Sequence, residues 1–528
     1  MEEIVLVRNL LSWVWFFVKS FFIYPLVSTL ILILTIAAYR LFFNPFSSVP
    51  GPRLAAISSV WYAVQIRNGQ AVSLGRSLHR KYGPVVRVGP NELWFNTKTA
   101  FKAIYSNGSG FEKSDFYLGT TLSKPVVDWK LQVHSVDSLD LLSERDMKRY
   151  RMQRRLIGPV YRPANVARHE ASIDRALGQV LSRFREMNGR EFDLKEWVHI
   201  TVVECLGASV LSWSPGMLKK NTDWATSTHS YQGWRRKAVF GIFPLAAKLQ
   251  LRYRSFGRIF GNAWNLTFQP PPNFRAFFPD VNKRVSKRIK AFHRGEKGCQ
   301  DLAEDLIQLH RDKPEFSDSY LRKMIITNFG AGHETMASTV ISLITMLGLY
   351  PNVYARLVIE LRQHFGDGTA SWASASSLPY LQAVIKESQR LNPVVSMSPP
   401  RKVPSPGLCL DGYHIPAGAT LGCNPIALHR NEDICGPNPD LFDPERWLKD
   451  DGRAKEMEMH SLSWGGGART CPGRHLAEMM VWKIVAGIVM AFEIEVIVPP
   501  EREMPSYFLS MMTGVKARLY TIDQGKFN

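Results

Sequence analysis

The chain has 528 residues, 45% of them hydrophobic, and a formal net charge of +20. Its six cysteines, at positions 205, 299, 409, 423, 435 and 471, are scattered without paired spacing, which argues for a reducing compartment and against a disulfide framework. No zinc-finger, helix-turn-helix or RNA-binding signature accompanies the basic excess, so nucleic acid is set aside in favour of anionic lipid headgroups and an acidic protein partner.

A prior of about 150 residues per domain suggests three domains. No linker, repeat or low-complexity tract supports that division. The expectation is an anchor over residues 1–43, a proline-rich connector over 44–53, and one large, mostly helical domain over 54–528. Ser20 to Tyr39 carries no charge over about twenty residues, enough to cross a bilayer core as a helix. The shorter apolar piece before it, Leu10 to Val18 with Trp13 and Trp15, is read as an interfacial segment or a first turn of the anchor. The run is too long for a cleaved signal peptide, and no small-residue cleavage site follows. Glu2 and Glu3 before the span, with Arg40 and Arg53 after it, put the main domain on the cytosolic side. There the sequons at Asn107 and Asn265 would go unused. Asn44-Pro45 to Pro50-Gly51-Pro52 makes a stiff, non-helical connector, because proline fixes φ.

Next, Leu78 to Gly83 ends a helix, and Val85–Val88 and Glu92–Phe95 read as a hairpin across Gly89-Pro90-Asn91. Residues 107–140 are irregular and mixed in polarity. Tyr150 to Leu156 is a helix crowded with Arg151, Arg154 and Arg155. Residues 200–290 hold helices with aromatic and basic clusters. Asp301–Arg311 is an amphipathic helix.

The long run Asp318–Leu349 reads as a helix carrying Phe329-Gly330-Ala331-Gly332-His333-Glu334-Thr335-Met336. Each glycine costs a helix about 1 kcal/mol relative to alanine, so two of them beside an acid and a hydroxyl suggest a functional opening. A threonine that bonds back to a carbonyl one turn earlier can widen such a helix and hold a water.

Glu387 and Arg390 lie three apart on one helical face and can pair. Pro399-Pro400-Arg401 and the hairpin Asp411–Gly418 follow, then Pro444-Glu445-Arg446-Trp447. The most telling stretch is Trp464-Gly465-Gly466-Gly467-Ala468-Arg469-Thr470-Cys471-Pro472-Gly473. Its glycines let backbone approach a flat ligand. One cysteine without a second nearby does not make a zinc site, which takes about four ligands. It suits a metal that brings its other ligands, as haem does. Arg469 and the start of a helix over 474–493 would stabilise a thiolate. The tail reads as strands.

The order and spacing of these motifs resemble the cytochrome P-450 superfamily over nearly the whole chain from Pro45. The cysteine loop matches its haem-binding loop, with Trp464 in place of the usual Phe. The resemblance implies a mainly α fold with small β-sheets, the cytochrome P-450 fold, as a single catalytic domain behind an N-terminal transmembrane helix. It implies haem b with Cys471 as the axial iron ligand. Arg401 and Arg154 would serve the propionates, with Tyr150 as the accompanying aromatic, Arg469 would bind the cofactor beside the thiolate, and Trp464, Gly467 and Gly473 would shape the loop. Thr335 would orient a proton-delivering water and Glu334 would supply protons; Met336 departs from the hydroxyl often found after the threonine. Glu387, Arg390 and Arg446 match a buried network that sets the haem pocket. Residues 107–140, Val394–Ser398 and Phe508–Met512 would line the substrate pocket.

The activity implied is insertion of one atom of O2 into a hydrophobic small molecule. Electrons would come from NADPH through a separate NADPH–cytochrome reductase, since no flavin or nicotinamide motif occurs here. The place implied is the endoplasmic reticulum membrane. The overall likeness is to filamentous-fungal members that tailor terpenoids, polyketides or alkaloids. Two rivals stand beside this reading: a haem-thiolate isomerase or dehydratase that does not use O2, and a non-catalytic haem-binding membrane protein.

Overall fold

The computed structural model describes residues 2–121, 125–134, 136–296, 298–366, 368 and 370–522. Glu2–Phe43 is one continuous helical run, α-helical over Glu2–Val18 and Tyr24–Ala38 and wider, π-type, over Lys19–Ile23 and Tyr39–Phe43. The interfacial piece and the span are therefore one rod. Nothing in Leu10–Val18 breaks a helix, and Pro25 falls in the first turn of the second α-segment, where its missing N–H costs least. Lys19 does not interrupt the rod, and its Nζ lies 5.1 Å from the Trp15 ring centroid. Leu11–Phe43, 33 residues, is long and apolar enough to cross a membrane, and none of it is buried in the protein.

The connector is held by contacts as well as by its prolines. Arg87, 2% exposed, donates from Nη1 to the carbonyls of Arg40 (2.9 Å) and Phe46 (3.3 Å) and from Nη2 to Pro90 (3.0 Å). Arg40 in turn donates to Ile57 O at 2.6 Å. Gly51 is required where the connector lies against the sheet, since a Cβ there would stand 2.3 Å from Arg87 O.

The first sheet has five strands in the order Val85–Gly89, Glu92–Phe95, Thr420–Cys423, Arg401–Lys402, Glu112–Lys113. Val85–Gly89 and Glu92–Phe95 are the expected hairpin, and Thr420–Cys423 joins parallel to the latter, with Leu421 opposite Leu93. Residues 107–140 are less irregular than their composition suggests. They contain the strand Glu112–Lys113, a 3-10 turn over Asp115–Thr120 and the small pair Val126–Val127 with Val133–His134. The C-terminal strands Phe492–Ile497 and Lys516–Thr521 form a second sheet with Phe192–Asp193.

Helices make up the bulk of the domain. Asp318–Leu349 runs through the core and packs against Leu194–Leu211, Leu302–Asp312, Pro379–Leu391 and Arg474–Ala491. The last of these ends at Ala491, where Phe492 begins the strand. The long helix is α-helical throughout and does not open at its glycines. Gly332 serves close packing: a Cβ there would meet the Leu206 side chain at 3.3 Å and Met336 Cε at 3.1 Å.

Candidate active site

The cysteine loop is shaped by backbone bonds. Cys471 N–H donates to Trp464 O at 2.8 Å, closing the loop on itself. Thr470 N–H and its hydroxyl both donate to Gly467 O, at 3.2 and 2.7 Å. Gly465 and Gly467 have φ of +80° and +54°, a region where a side chain is strained. A Cβ at Gly467 would also stand 2.1 Å from Tyr105 O, and one at Gly466 2.7 Å from Tyr105 Cβ. Those two glycines thus let the loop lie against the helix Lys98–Tyr105. A Cβ at Gly473 would meet nothing within 4 Å.

Burial raises the pKa of the Cys471 thiol above its ordinary value, while the Gly473 N–H, Arg154 and Arg474 pull it down. The charges acting on the sulfur are therefore Arg154 and Arg474, with Glu478, which pairs with Arg474 at 2.7 Å, opposing them. Arg469, expected to stabilise a thiolate, points elsewhere: Nη1 donates to Glu144 O (2.7 Å), Nη2 to Arg145 O (3.0 Å), and its guanidinium carbon sits 3.9 Å from the Tyr150 ring centroid. Alternation of direction along the loop separates neighbours in sequence. The Trp464 ring lies against the Arg474 guanidinium at 5.7 Å.

The far side of the loop holds a concentration of buried cations. Arg401, 5% exposed, has only long bonds, to Tyr117 Oη (3.3 Å), Pro399 O (3.4 Å) and Pro400 O (3.3 Å). Lys113, 8% exposed, donates to Leu141 O (3.1 Å) and Leu142 O (2.6 Å). Burial lowers the pKa of Lys113, and Arg469 and Arg401 lower it further, against the pull of Asp140 and Glu144. Arg469 is pushed down to about 10 by burial, with Arg401 adding to the effect. Arg154 Nη1 and Arg469 Nε are buried without a partner. Buried cations that lie close together and carry unused donors form a site for an anion. A haem fits: its propionates would supply the missing negative charge, and the cysteine loop its axial ligand. Lys113 escaped the sequence reading, because a lone lysine in an irregular stretch carries no spacing.

Glu387, Arg390 and Arg446 meet in one buried network. Arg390 pairs bidentately with Glu387, Nε to Oε2 and Nη2 to Oε1, both 2.8 Å. Arg446 Nε donates to Oε1 at 2.9 Å, Trp447 Nε1 to Oε2 at 2.9 Å, and Asp443 N–H to Oε1 at 3.0 Å. The spare guanidinium donors reach the carbonyls of His429, Pro439 and Cys435. Removing one partner of such a buried network typically costs about 3–5 kcal/mol. Its lining ties the helix Pro379–Leu391 to the segment that leads into the cysteine loop.

On the long helix, Thr335 Oγ1 donates back to Ala331 O at 2.7 Å, leaving its lone pairs to accept. Glu334 is 4% exposed, and Trp234 Nε1 donates to its Oε2 at 2.6 Å. Burial raises the pKa of Glu334, against the pull of Trp234 and Lys237. Trp234 belongs to the helix Thr226–Ile242. Its ring stacks on Phe508, centroids 5.3 Å apart, and Phe508 also meets Phe116 at 5.6 Å. The segments expected to wall the pocket pair with each other: Ser396 N–H donates to Phe508 O (3.0 Å), Ser510 N–H to Val394 O (2.8 Å), and Ser338 Oγ to Ser510 O (2.6 Å). An apolar, aromatic wall thus adjoins an acid and a hydroxyl, an arrangement for protonating a group on a hydrophobic ligand.

The family model described as Cytochrome P450 matches residues 50–519. The chain is 48% identical over 515 residues to the cytochrome P450 monooxygenase sdnT of Sordaria araneosa, covering 92% of each chain. It is 29% identical over 478 residues to a pisatin demethylase of Fusarium vanettenii, covering 88% of this chain and 89% of the relative. It is 28% identical over 482 residues to the cytochrome P450 monooxygenase hepC of Aspergillus oryzae, covering 87% and 89%.

Proposed function

The chain belongs to the cytochrome P450 family, and on that footing we propose that it is a membrane-anchored haem-thiolate monooxygenase in which Cys471 would ligate the haem iron. Its substrate is a hydrophobic small molecule, of the terpenoid, polyketide or alkaloid kind, in fungal secondary metabolism. Haem held there would supply the iron chemistry of oxygen activation, with a cysteine thiolate ligand to tune it. Arg154, Arg401, Arg469 and Lys113 would hold the propionates. The network of Glu387, Arg390 and Arg446 keeps the proximal backbone in place. Thr335 orients a water with its free lone pairs, and Glu334 passes a proton to it. The aromatic wall of Trp234, Phe508 and Phe116 excludes bulk water and binds the substrate.

The observation that carries oxygen insertion, over a rearranging haem-thiolate enzyme or a haem-binding receptor, is the Glu334–Thr335 pair beside that wall. The test is turnover with NADPH, reductase and isotopically heavy O2, read for one heavy oxygen atom in the product. Unlabelled product, or none, would overturn the assignment.

Electrons reach the haem from NADPH through a separate reductase. Its landing place is the groove of about 610 Å³ on the cysteine-loop face, lined by Lys102, Lys386, Trp447, Trp464, Arg474 and Trp482. Glu458 and Glu478 in the same lining pair with Lys386 and Arg474, which leaves Lys102 and the net positive balance to favour an acidic partner.

Residues 1–43 anchor the enzyme to the endoplasmic reticulum with the domain in the cytosol. A second, weaker attachment comes from Pro244–Arg252 and Arg254–Ala263, where Leu245 (60%), Tyr253 (48%) and Ile259 (69%) stand exposed beside Arg252 and Arg254. Deleting residues 1–43 should leave a protein that binds anionic vesicles at low salt and leaves them at high salt. Retention at high salt equal to the full chain's would contradict the anchor.

A further inference from the structure

The strands Val126–Val127 and Val133–His134 form a short hairpin away from the residues assigned to the haem. Its turn is Asp128-Trp129-Lys130-Leu131, and Asp128 ties it from within. The Asp128 N–H donates to Gln132 O (3.1 Å), and its carbonyl accepts from the Leu131 N–H (3.1 Å). Its Oδ1 accepts from the Gln132 N–H (2.9 Å), and its Oδ2 lies 2.9 Å from His134 Nε2. Turn tips are ordinarily built from small or polar residues. This one carries Trp129, 77% exposed, the most exposed large apolar side chain among the described residues. Val126, on the strand leading into the turn, is 62% exposed. Lys130 Nζ lies 5.0 Å from the Trp129 ring centroid.

We propose that this hairpin lies in the headgroup–acyl boundary of the bilayer, with the Trp129 indole inserted and Lys130 reaching back to anionic headgroups. The proposal rests on the reading of Pro244–Arg252 and Arg254–Ala263 as a membrane-contacting surface, which it extends to a second element.

The placement of exposed apolar side chains points to lipid. Outside residues 1–43, the five most exposed large ones among the described residues are Trp129, Ile259, Leu54, Val126 and Leu245. They sit on connected elements. Val126–Val127 packs against Pro244–Arg252, which packs against Arg254–Ala263. Leu54 belongs to Arg53–Ile57, which packs against Tyr39–Phe43 at the end of the anchor. A buried cluster of Ala63, Val239, Phe240, Ala246 and Leu266 joins the helices Val60–Arg67, Thr226–Ile242 and Pro244–Arg252. The hairpin is thus continuous with the elements that follow the anchor.

Charge favours the same occupant. Pro244–Arg252 and Arg254–Ala263 carry Lys248, Arg252, Arg254 and Arg258 and no acidic residue. The acids on the hairpin and on the turn before it are paired: Asp128 with His134, and Asp115 with Arg145 and with Lys248 at 3.8 Å. The balance is positive, which anionic headgroups attract. A tryptophan beside a lysine suits a membrane interface, where the indole sits at headgroup level and the ammonium reaches water. The groove assigned to the reductase is lined by none of these residues, so both surfaces can be occupied together. With the anchor and the two helices, the hairpin makes a third point of contact, which limits rocking of the domain about the other two.

The test uses the full-length holoprotein in nanodiscs that contain anionic phospholipid. Cys299→Ser and Cys409→Ser remove the exposed thiols. Trp129→Cys, Ile259→Cys and Ile359→Cys then place single nitroxide labels, and Val126→Cys replaces Trp129→Cys if that variant loses the ferrous–carbon monoxide Soret band. Oxygen, which partitions into lipid, and a water-soluble nickel chelate are compared as relaxing agents. The label at residue 129 should be relaxed by oxygen and shielded from nickel, at a depth of about 5–10 Å, like the label at residue 259. The label at residue 359, on the helix Pro351–Phe365, should be relaxed by nickel. Residue 129 in water with residue 259 in lipid would overturn the hairpin proposal and leave the two helices on the membrane. Residue 129 in lipid with residue 259 in water would overturn the reading of the helices and support the hairpin. Both in water would overturn both. A label at residue 129 shielded from both agents would place a second copy of the chain or another protein on the hairpin and overturn lipid as its occupant.

Discussion

Cys471→Ser should abolish the shifted Soret band of the ferrous–carbon monoxide complex and, with it, all NADPH-supported turnover. The effect is complete rather than graded because it changes the ligand's chemistry. A thiolate forms readily once a metal takes the proton's place. A serine hydroxyl keeps its proton at neutral pH and donates far less charge to iron. The loop itself should survive the change, since its closure depends on the Cys471 N–H to Trp464 O bond and on the bonds to Gly467 O, none of which involves the side chain of residue 471. The cations Arg401, Lys113 and Arg154 are likewise untouched. The variant should therefore still take up haem, with the spectrum of an oxygen- or water-ligated iron. A variant that kept the shifted band would remove Cys471 from the iron.

Thr335→Ala should retain haem, substrate binding and reduction, and should continue to consume NADPH, but should release much of the oxygen as hydrogen peroxide. The hydroxyl now bonded to Ala331 O would be gone, and with it the lone pairs that hold the water. Positioned acid chemistry is worth typically 10²–10⁴-fold, so the product-to-NADPH ratio should fall by at least about tenfold. Glu334→Gln keeps the shape and can still accept from Trp234 Nε1, but has no proton to give. It should slow turnover more than it loosens coupling. Unchanged rate and coupling in both variants would move weight to a haem that does not activate O2.

The parts of this site that sequence spacing exposes are those that sit within one turn or one loop. Glu387 and Arg390 are three residues apart on one helix, and Gly465 to Cys471 form one loop, so their cooperation is written locally. Arg446 was reachable because its own short segment has a recognisable form. What spacing cannot express is contact between distant segments. Trp234 and Glu334 are 100 residues apart, and Ser230 and His333 103. Lys113 reaches its place through a two-residue strand beside Arg401–Lys402. Trp447 joins the Glu387 network only because a 3-10 turn carries its indole inward next to Arg446.

Local spacing also misled where direction matters. Arg469 is two residues from Cys471, yet its guanidinium crosses to the carbonyls of residues 144 and 145, and Arg474 and Arg154 take the positions beside the sulfur. The glycines of the long helix read as an opening, whereas Gly332 admits Leu206 of the neighbouring helix and the ladder stays α-helical. Of the two readings of Leu10–Val18, the first part of the anchor holds and the separate interfacial piece does not, because a lysine with a tryptophan one turn back does not interrupt a helix.

The central claim, oxygen insertion by a thiolate-ligated haem, is tested most directly by single-turnover and steady-state reactions under isotopically heavy O2 in ordinary water. The substrate is drawn from the metabolite that accumulates when the enzyme is removed from its host. The account predicts product that is heavier by one oxygen atom, with the second atom recovered as heavy water and NADPH consumed in step with product. Product formed without label, or formed equally well without O2 and NADPH, would contradict it.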